Sequence, residues 1–382
     1  MNIIRYIALY LPQYHPVKEN DQVWGKGFTE WTNVSKATPL FRGHYQPHIP
    51  ADLGFYDLRL EETRIAQAEL ARSYGIEGFC YWYYWFGNGD KILERPINEM
   101  LSSGKPDFPF CFGWANHSWT TGTWTKVNNP KKHVVIKEQK YLGKEDYTAF
   151  FYELLPAFKD KRYIYVDDKP FFLIHDPYAI PDVDVFIQTW RELARLNGLK
   201  DIYFIASTPG FAYRDKNTGK HRLPNLNETK LYYDELLSLG FDAINSRNLS
   251  RAVLSVEGKL MNFFKIFVNT RLKIKLLRRF KQDKINEHLL TEFDAVENVF
   301  PSIYPNWDRS PRAGKADIIL TDSTPQVFSK LLSRVVKLME NKRPEHRIVI
   351  LTSWNEWGEG NHLEPDIKYG HGYLAAIKDS LK

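Results

Sequence analysis

The chain has 382 residues, 43% hydrophobic, 26% charged and 15% aromatic, with a formal net charge of +6. This composition suits a soluble globular enzyme and excludes a disordered, fibrous or disulfide-framed protein. The charge is localised: residues 259–284 hold nine Lys or Arg against one Asp, a local +8 that leaves −2 for the rest.

The first apolar run, Ile3–Leu11, reads as a buried strand. It is too short to span a membrane, and it lacks the basic start and small-residue cleavage pattern of a secretory leader. A cytoplasmic protein, at most peripheral at the inner membrane, is therefore the expectation. Seven further apolar runs rich in β-branched and aromatic residues follow: Ile76–Tyr84, Phe108–Ala115, Pro170–His175, Ile202–Ser207, Phe241–Asn245, Val296–Ile303 and Arg347–Ser353. Cys80 and Cys111 each fall inside such a strand, so a reduced pair of core thiols is expected.

Helical patterns alternate with the strands. They cover Arg59–Tyr74, Ile92–Ser103, Glu145–Phe158, Val183–Asn197, Glu228–Leu239, a long one near Leu260–Leu290, Gln326–Asn341 and Tyr373–Leu381. Several stop at a glycine, a usual helix terminator. Strand then helix, eight times over, predicts a parallel sheet with right-handed crossovers. An open dinucleotide-binding sheet would place a glycine-rich turn after its first strand; here Pro12-Gln13-Tyr14-His15 follows instead. The expected fold is an α/β (β/α)8 TIM barrel with a long loop, Pro12–Leu58, after the first strand. A single domain, 1–382, is the simplest division, with 259–288 as a basic amphipathic insertion.

In such a barrel the site lies at the carboxyl ends of the strands. Those ends supply Gln13, Tyr14 and His15; Trp82, Tyr83 and Tyr84; Trp114, Asn116 and His117; His175 and Asp176; Thr208; Asn245; Asn306, Trp307 and Asp308. The last strand leads into Trp354-Asn355-Glu356-Trp357-Gly358-Glu359-Gly360, two carboxylates among indoles. Glycosidic-bond chemistry needs two such carboxyls, one to protonate the leaving oxygen and one to act opposite. Structural readings stand beside these: Tyr83 and Tyr84 as packing between barrel and helices, His175-Asp176 as a strand-ending turn, Asp308 as a turn cap.

No metal or other cofactor is expected, because the histidines lack ligand spacing and no Cys pair is suitably placed. Asp182-Val-Asp184 matches an Asp-x-Asp pattern but sits at a helix start, where aspartates cap. The 259–284 segment reads as an amphipathic cationic helix, suited either to an anionic membrane surface or to a solvated face on the barrel. No recognition motif for nucleic acid accompanies it.

A set of motifs resembles the WbsX-type proteins, whose domain is similar to glycoside hydrolase family 99. They are Leu11-Pro12-Gln13-Tyr14-His15-Pro16, Trp24 to Val34, Gln46-Pro47-His48, Asp52 to Asp57, Tyr74 to Phe79, Trp114-Ala115-Asn116 and Trp354 to Gly360. The resemblance implies a (β/α)8 barrel acting on oligo- or polysaccharide, lipid-linked forms included, in bacterial surface polysaccharide (O-antigen or capsule) metabolism. It implies a retaining mechanism in which Glu356 deprotonates the sugar's own 2-hydroxyl and Glu359 serves as acid and then base. The substrate contacts expected are Gln13, Tyr14, Glu30, Trp31, Tyr83, Trp114, Asn116, His117, His175, Asn306, Trp307, Asp308, Trp354, Asn355 and Trp357. Two departures stand out. His117-Ser118-Trp119 replaces an acidic residue, which bears on sugar identity, and Gly358 replaces a bulkier residue, which is expected to open the pocket. Two other functions remain open: a nucleotide-sugar-dependent glycosyltransferase of lipopolysaccharide synthesis, and a glycan-binding barrel without catalysis.

Overall fold

In the computed structural model, eight parallel strands close into a barrel. The described residues are 4–382 except 122–133, 209–212, 215–220, 223–225 and most positions between 259 and 275. The strands are β1 (Arg5–Tyr10), β2 (Gly78–Trp85), β3 (Phe110–Trp114), β4 (Lys169–Ile174), β5 (Tyr203–Thr208), β6 (Ala243–Ser246), β7 (Val299–Ile303) and β8 (Ile348–Leu351). Each pairs with its sequence neighbour, and β1 closes the ring by pairing with both β2 and β8. All eight expected strands are present, and the (β/α)8 barrel stands.

The strands read as unbroken apolar runs because both faces are covered, the inner by barrel packing and the outer by helices. Every residue of β2 and β8 is buried. The helices are α1 (Lys18–Trp24), α2 (Glu30–Ser35), α3 (Glu61–Ser73), α4 (Arg95–Ser103), α5 (Lys144–Phe158), α6 (Val183–Leu196), α7 (Leu226–Ser238), α8 (Leu249–Glu257), α9 (Gln282–Leu289), α10 (Ser310–Ala313), α11 (Pro325–Met339) and α12 (Gly372–Asp379). α4 begins three residues later than expected, because Lys91–Ile92 pairs back onto the end of β2. It stops at Gly104, whose φ of 72° is open to glycine at little cost. On α11, Phe328, Leu331, Leu332 and Val335 form the buried stripe that the periodicity predicted.

The long helix near 260–290 is a correction. Residues Arg278–Lys281 form a strand parallel to Ile318–Thr321, and a separate helix, α9, follows. Phe280, within the segment read as an amphipathic helix, is buried, and Arg278 binds Glu257 through Nη2 at 2.6 Å. The alternation of cations and apolar residues fits a strand as well as a helix, and the distant partner at 318–321 decides. Met261 and Phe264 are about half exposed; Leu260, Phe263 and Leu272 lie outside the described residues. Among the described residues no helix is long and apolar enough to cross a membrane. Cys80 and Cys111 are free, buried and adjacent across β2 and β3.

Candidate active site at the barrel mouth

Past β8 the chain turns through a tight hairpin in which Asn355 opposes His362 and Glu356 opposes Asn361. The hairpin is bolted to the end of β1. Asn355 Oδ1 accepts from the Leu11 N–H at 2.7 Å, and its Nδ2 donates to the Leu11 carbonyl at 3.0 Å. The Tyr14 hydroxyl donates to the Asn355 carbonyl and accepts from the Trp357 N–H. Behind them the buried Glu364 accepts from Trp357 Nε1 and Gln67 Nε2 at 2.6 Å each and from the Tyr56 hydroxyl at 2.8 Å. Burial still pushes the Glu364 carboxyl up to about 7.

One guanidinium organises the two glutamates. Arg312, on α10, donates to Glu359 Oε1 through Nη1 at 2.5 Å and to Glu356 Oε2 through Nη2 at 2.8 Å. Its other edge grips Glu30, with Nε to Oε1 at 3.0 Å and Nη2 to Oε2 at 2.8 Å. A bidentate fork of this kind fixes geometry as well as charge. Gly358 makes the arrangement possible, since a Cβ there would collide with Glu30 Oε1 and crowd Arg312 Nε. The expectation that Gly358 opens the pocket is thereby corrected: the space is filled by the Glu30–Arg312 pair.

The two carboxyls differ electrostatically. Burial, opposed by Arg312 and reinforced by the neighbouring Glu359 and Glu30, pushes Glu356 up to about 8. Burial also acts on Glu359, but Arg309, Arg312 and Arg247 outweigh it and hold that carboxyl below the ordinary range. Arg309 Nε lies 3.0 Å from Glu359 Oε1. The site thus favours the protonated form of Glu356 and the ionised form of Glu359, opposite to the polarity that the family resemblance implies.

Both glutamates, 12% and 17% exposed, line a cavity of about 300 Å³ at the carboxyl end of the barrel. Its walls include Trp82, Tyr84, His117, Trp119, His175, Arg247 and Trp307. His175 Nδ1 is 3.2 Å from Arg247 Nη1, and its ring lies edge-on to Trp82. The Trp307 indole nitrogen is buried without a hydrogen-bond partner among the described residues. Trp307 also borders a second cavity of about 440 Å³, where Asn306 and Asp308 sit.

Of the expected contacts, the structure brings Glu356, Glu359, His117, His175 and Trp307 to the first cavity. Asn306 and Asp308 face the second cavity; Asp308 binds His44 Nε2 at 2.7 Å and Gln46 Nε2 at 2.6 Å. It also accepts from the Ser310 N–H at 2.9 Å, closing the turn that leads into α10. Asn355, Tyr14, Trp31 and Trp357 form the support behind the hairpin, and the fully buried Glu30 is Arg312's anchor. Gln13 is fully buried, and Trp354 packs on Phe79. Asn116 ties two loops together, donating to the Asp176 carbonyl at 2.7 Å. Tyr83 and Trp114 are turned to the outer layer, where both pack on Phe150 of α5; they are not at the mouth. The alternation of a strand explains this: Trp82 and Tyr84 point inward, Tyr83 and Trp85 outward.

Sequence reasoning missed Arg247, Arg309 and Arg312. A pair of acids in a low-dielectric pocket demands counter-charge, and Arg309 and Arg312 stand directly after the end of β7. For a metal, among the described residues, His48, His362 and Asp366 form the one group with ligand atoms close enough together.

Residues 6–377 match the family described as Glycosyltransferase WbsX. The chain belongs to this family. The WbsX-family chain is 33% identical over 381 residues to uncharacterised WxcX proteins from two strains of Xanthomonas campestris pv. campestris. That match takes in 98% of the chain but 49% of each relative, so the chain spans about half their length. Among solved structures, the GH99 endo-α-mannosidase from Bacteroides thetaiotaomicron aligns with a TM-score of 0.54 and 13% identity, covering 98% of this chain and 95% of that one. A glycoside hydrolase-like protein aligns with a TM-score of 0.56 and 13% identity, covering 99% and 94%. At such identities the likeness is one of fold.

Proposed function

We propose that the cavity at the barrel mouth is the catalytic site of a carbohydrate-active enzyme that cleaves or transfers glycosyl units of a bacterial surface polysaccharide, O-antigen or capsule, or its lipid-linked precursor. The observation that carries the proposal is the pairing of Glu356 and Glu359 on one guanidinium at the wall of a cavity lined by tryptophan and tyrosine rings, with their acidities shifted in opposite directions. Flat rings suit the apolar faces of sugars, and the unpartnered Trp307 N–H supplies a donor for a hydroxyl.

In the proposed reaction Glu356 gives its proton to the leaving glycosidic oxygen as the bond to the anomeric carbon breaks. Glu359, already a carboxylate, takes the proton of the sugar's 2-hydroxyl, whose oxygen closes on the anomeric carbon. Glu356, now ionised, then deprotonates the incoming water or acceptor hydroxyl. Glu359 returns its proton to the 2-oxygen, and configuration is retained. Hydrolysis and transfer differ only in which hydroxyl enters. Membrane contact belongs to the same reading: the half-exposed Met261, Phe264 and Phe267 and the exposed Arg271 are described residues that support it.

The test is incubation of the full chain with oligosaccharides from the producing organism's own polysaccharide, without added metal or nucleotide sugar. Mass spectrometry and proton NMR of the anomeric signals would read the products. Shortened or exchanged chains with retained configuration are expected. Turnover only when a nucleotide sugar is added, or inverted products, would overturn the mechanism.

A further inference from the structure

Behind the catalytic hairpin three buried side chains from separate stretches of chain converge. His48 comes from the long loop after β1, His362 from the returning strand of the hairpin, and Asp366 from the segment beyond it. They are 6%, 1% and 2% exposed, and one ligand atom from each lies within 4.8 Å of the others. Chain spacing hid the group, because 314 residues separate the two histidines.

The orientation of each group is set from outside. His362 Nδ1 is 2.9 Å from the Glu364 carbonyl. A carbonyl can only accept, so Nδ1 carries the hydrogen and Nε2 turns its lone pair inward. This is the backing that metal-bound histidines usually have. His362 Nε2 lies 2.9 Å from His48 Nδ1 and 3.9 Å from Asp366 Oδ2. The rings are held by stacking, His362 on Trp357 at 3.7 Å and His48 on Tyr45 at 4.3 Å between centroids. Asp366 Oδ1 accepts the Tyr369 N–H at 2.7 Å. Among the described residues its Oδ2 is buried without a partner of normal hydrogen-bond geometry, although the Tyr45 hydroxyl approaches the same carboxylate.

We propose that His48 Nδ1, His362 Nε2 and Asp366 Oδ2 form a binding site for a divalent transition-metal ion of the zinc type. Two imidazole nitrogens and one carboxylate oxygen are the donors such ions prefer. For His48 Nδ1 to bind the ion, the hydrogen it now donates to His362 Nε2 moves to His48 Nε2, leaving both facing nitrogens with free lone pairs. His48 and Tyr45 also border the 440 Å³ cavity, so a water or a ligand oxygen can complete the coordination from that side. Because His362 opposes Asn355 in the hairpin, the ion would clamp the long loop to the strand paired with the one that carries Glu356. The site is independent of whether the glutamates act on a glycosidic bond.

The test is calorimetric titration of the chelator-stripped full chain with Zn2+, together with visible absorption on titration with Co2+. One equivalent of Zn2+ per chain is expected, with a rise in Tm that EDTA reverses. The Co2+ complex should show four- or five-coordinate bands without a thiolate charge-transfer band, which excludes Cys80 and Cys111. His362→Gln and Asp366→Asn should lose at least about a hundredfold in affinity, while His371→Gln, on the surface, should bind as wild type. Absence of binding to the wild-type chain at 100 µM Zn2+ (about 0.1 mM, far above the affinity of structural sites) would overturn the proposal, as would a thiolate spectrum or undiminished binding by both variants. Should the variants fail to fold, the wild-type Co2+ spectrum decides alone.

Discussion

Arg312 touches three carboxyls, and Arg309, which helps it at Glu359, is also engaged by Asp317. With more acid than base in a desolvated pocket, a proton is favoured on Glu356 over Glu359, which has the closer cations. The sign of the pH dependence follows. As pH rises through about 8, Glu356 loses the proton it must donate, so kcat/KM should fall there. As pH drops below the ordinary carboxylate range, Glu359 becomes protonated and activity falls again. A pH profile with no basic limb near neutrality to pH 9 (about one unit either side of Glu356's value) would show that the proton sits elsewhere. Gly358→Ala probes the same cluster sterically. Its Cβ would strike the Glu30 carboxylate, so a loss of about 1–3 kcal/mol in urea unfolding is expected, with a fall in kcat. The glutamate pair proposed as catalytic was legible, since two acids past a strand end are a chemical signal. Arg312 was not, because its partners lie 44, 47 and 282 residues away along the chain. Tyr83 was assigned to the wrong face because strand register, which decides between it and Tyr84, is set by pairing partners.

Between elements, α2 and α10 meet through the Glu30–Arg312 pair, and that pair braces the hairpin from below. Both partners are at most 5% exposed. Glu30→Ala should therefore cost about 3–5 kcal/mol, since a buried guanidinium loses its bidentate partner. Differential scanning calorimetry would read the loss as a lowered Tm, and an unchanged Tm would show that water or Glu356 takes over. The hairpin's other fixing point is Asn355. Asn355→Ala leaves the Leu11 N–H and carbonyl without their buried partners, at about 1–3 kcal/mol, and should lower kcat more than it raises KM by letting Glu356 drift. Elements of this size were well read where one local signal sufficed, such as apolar runs for β2 and β8 or the stripe on α11. The segment 278–289 was misread as continuous helix because its strand exists only through pairing with Ile318–Thr321.

Across the whole molecule, the barrel gathers residues from the first loop, β2, the β3 and β4 ends, β7 and the final hairpin onto one face. That convergence was readable from strand order alone, because a closed parallel barrel exposes all its carboxyl ends together. The basic segment 259–284 is tested separately. If the segment meets membrane, Met261→Ser with Phe264→Ser should reduce co-sedimentation with anionic vesicles, and added salt should reduce it further. Equal binding by wild type and the double variant would remove that contact. The most direct test of the glutamate pair is turnover of the producing organism's polysaccharide by wild type, Glu356→Gln and Glu359→Gln, with glycan affinity measured alongside. Each isosteric amide should lower kcat at least about a thousandfold while binding persists; turnover close to wild type in either variant would contradict the account.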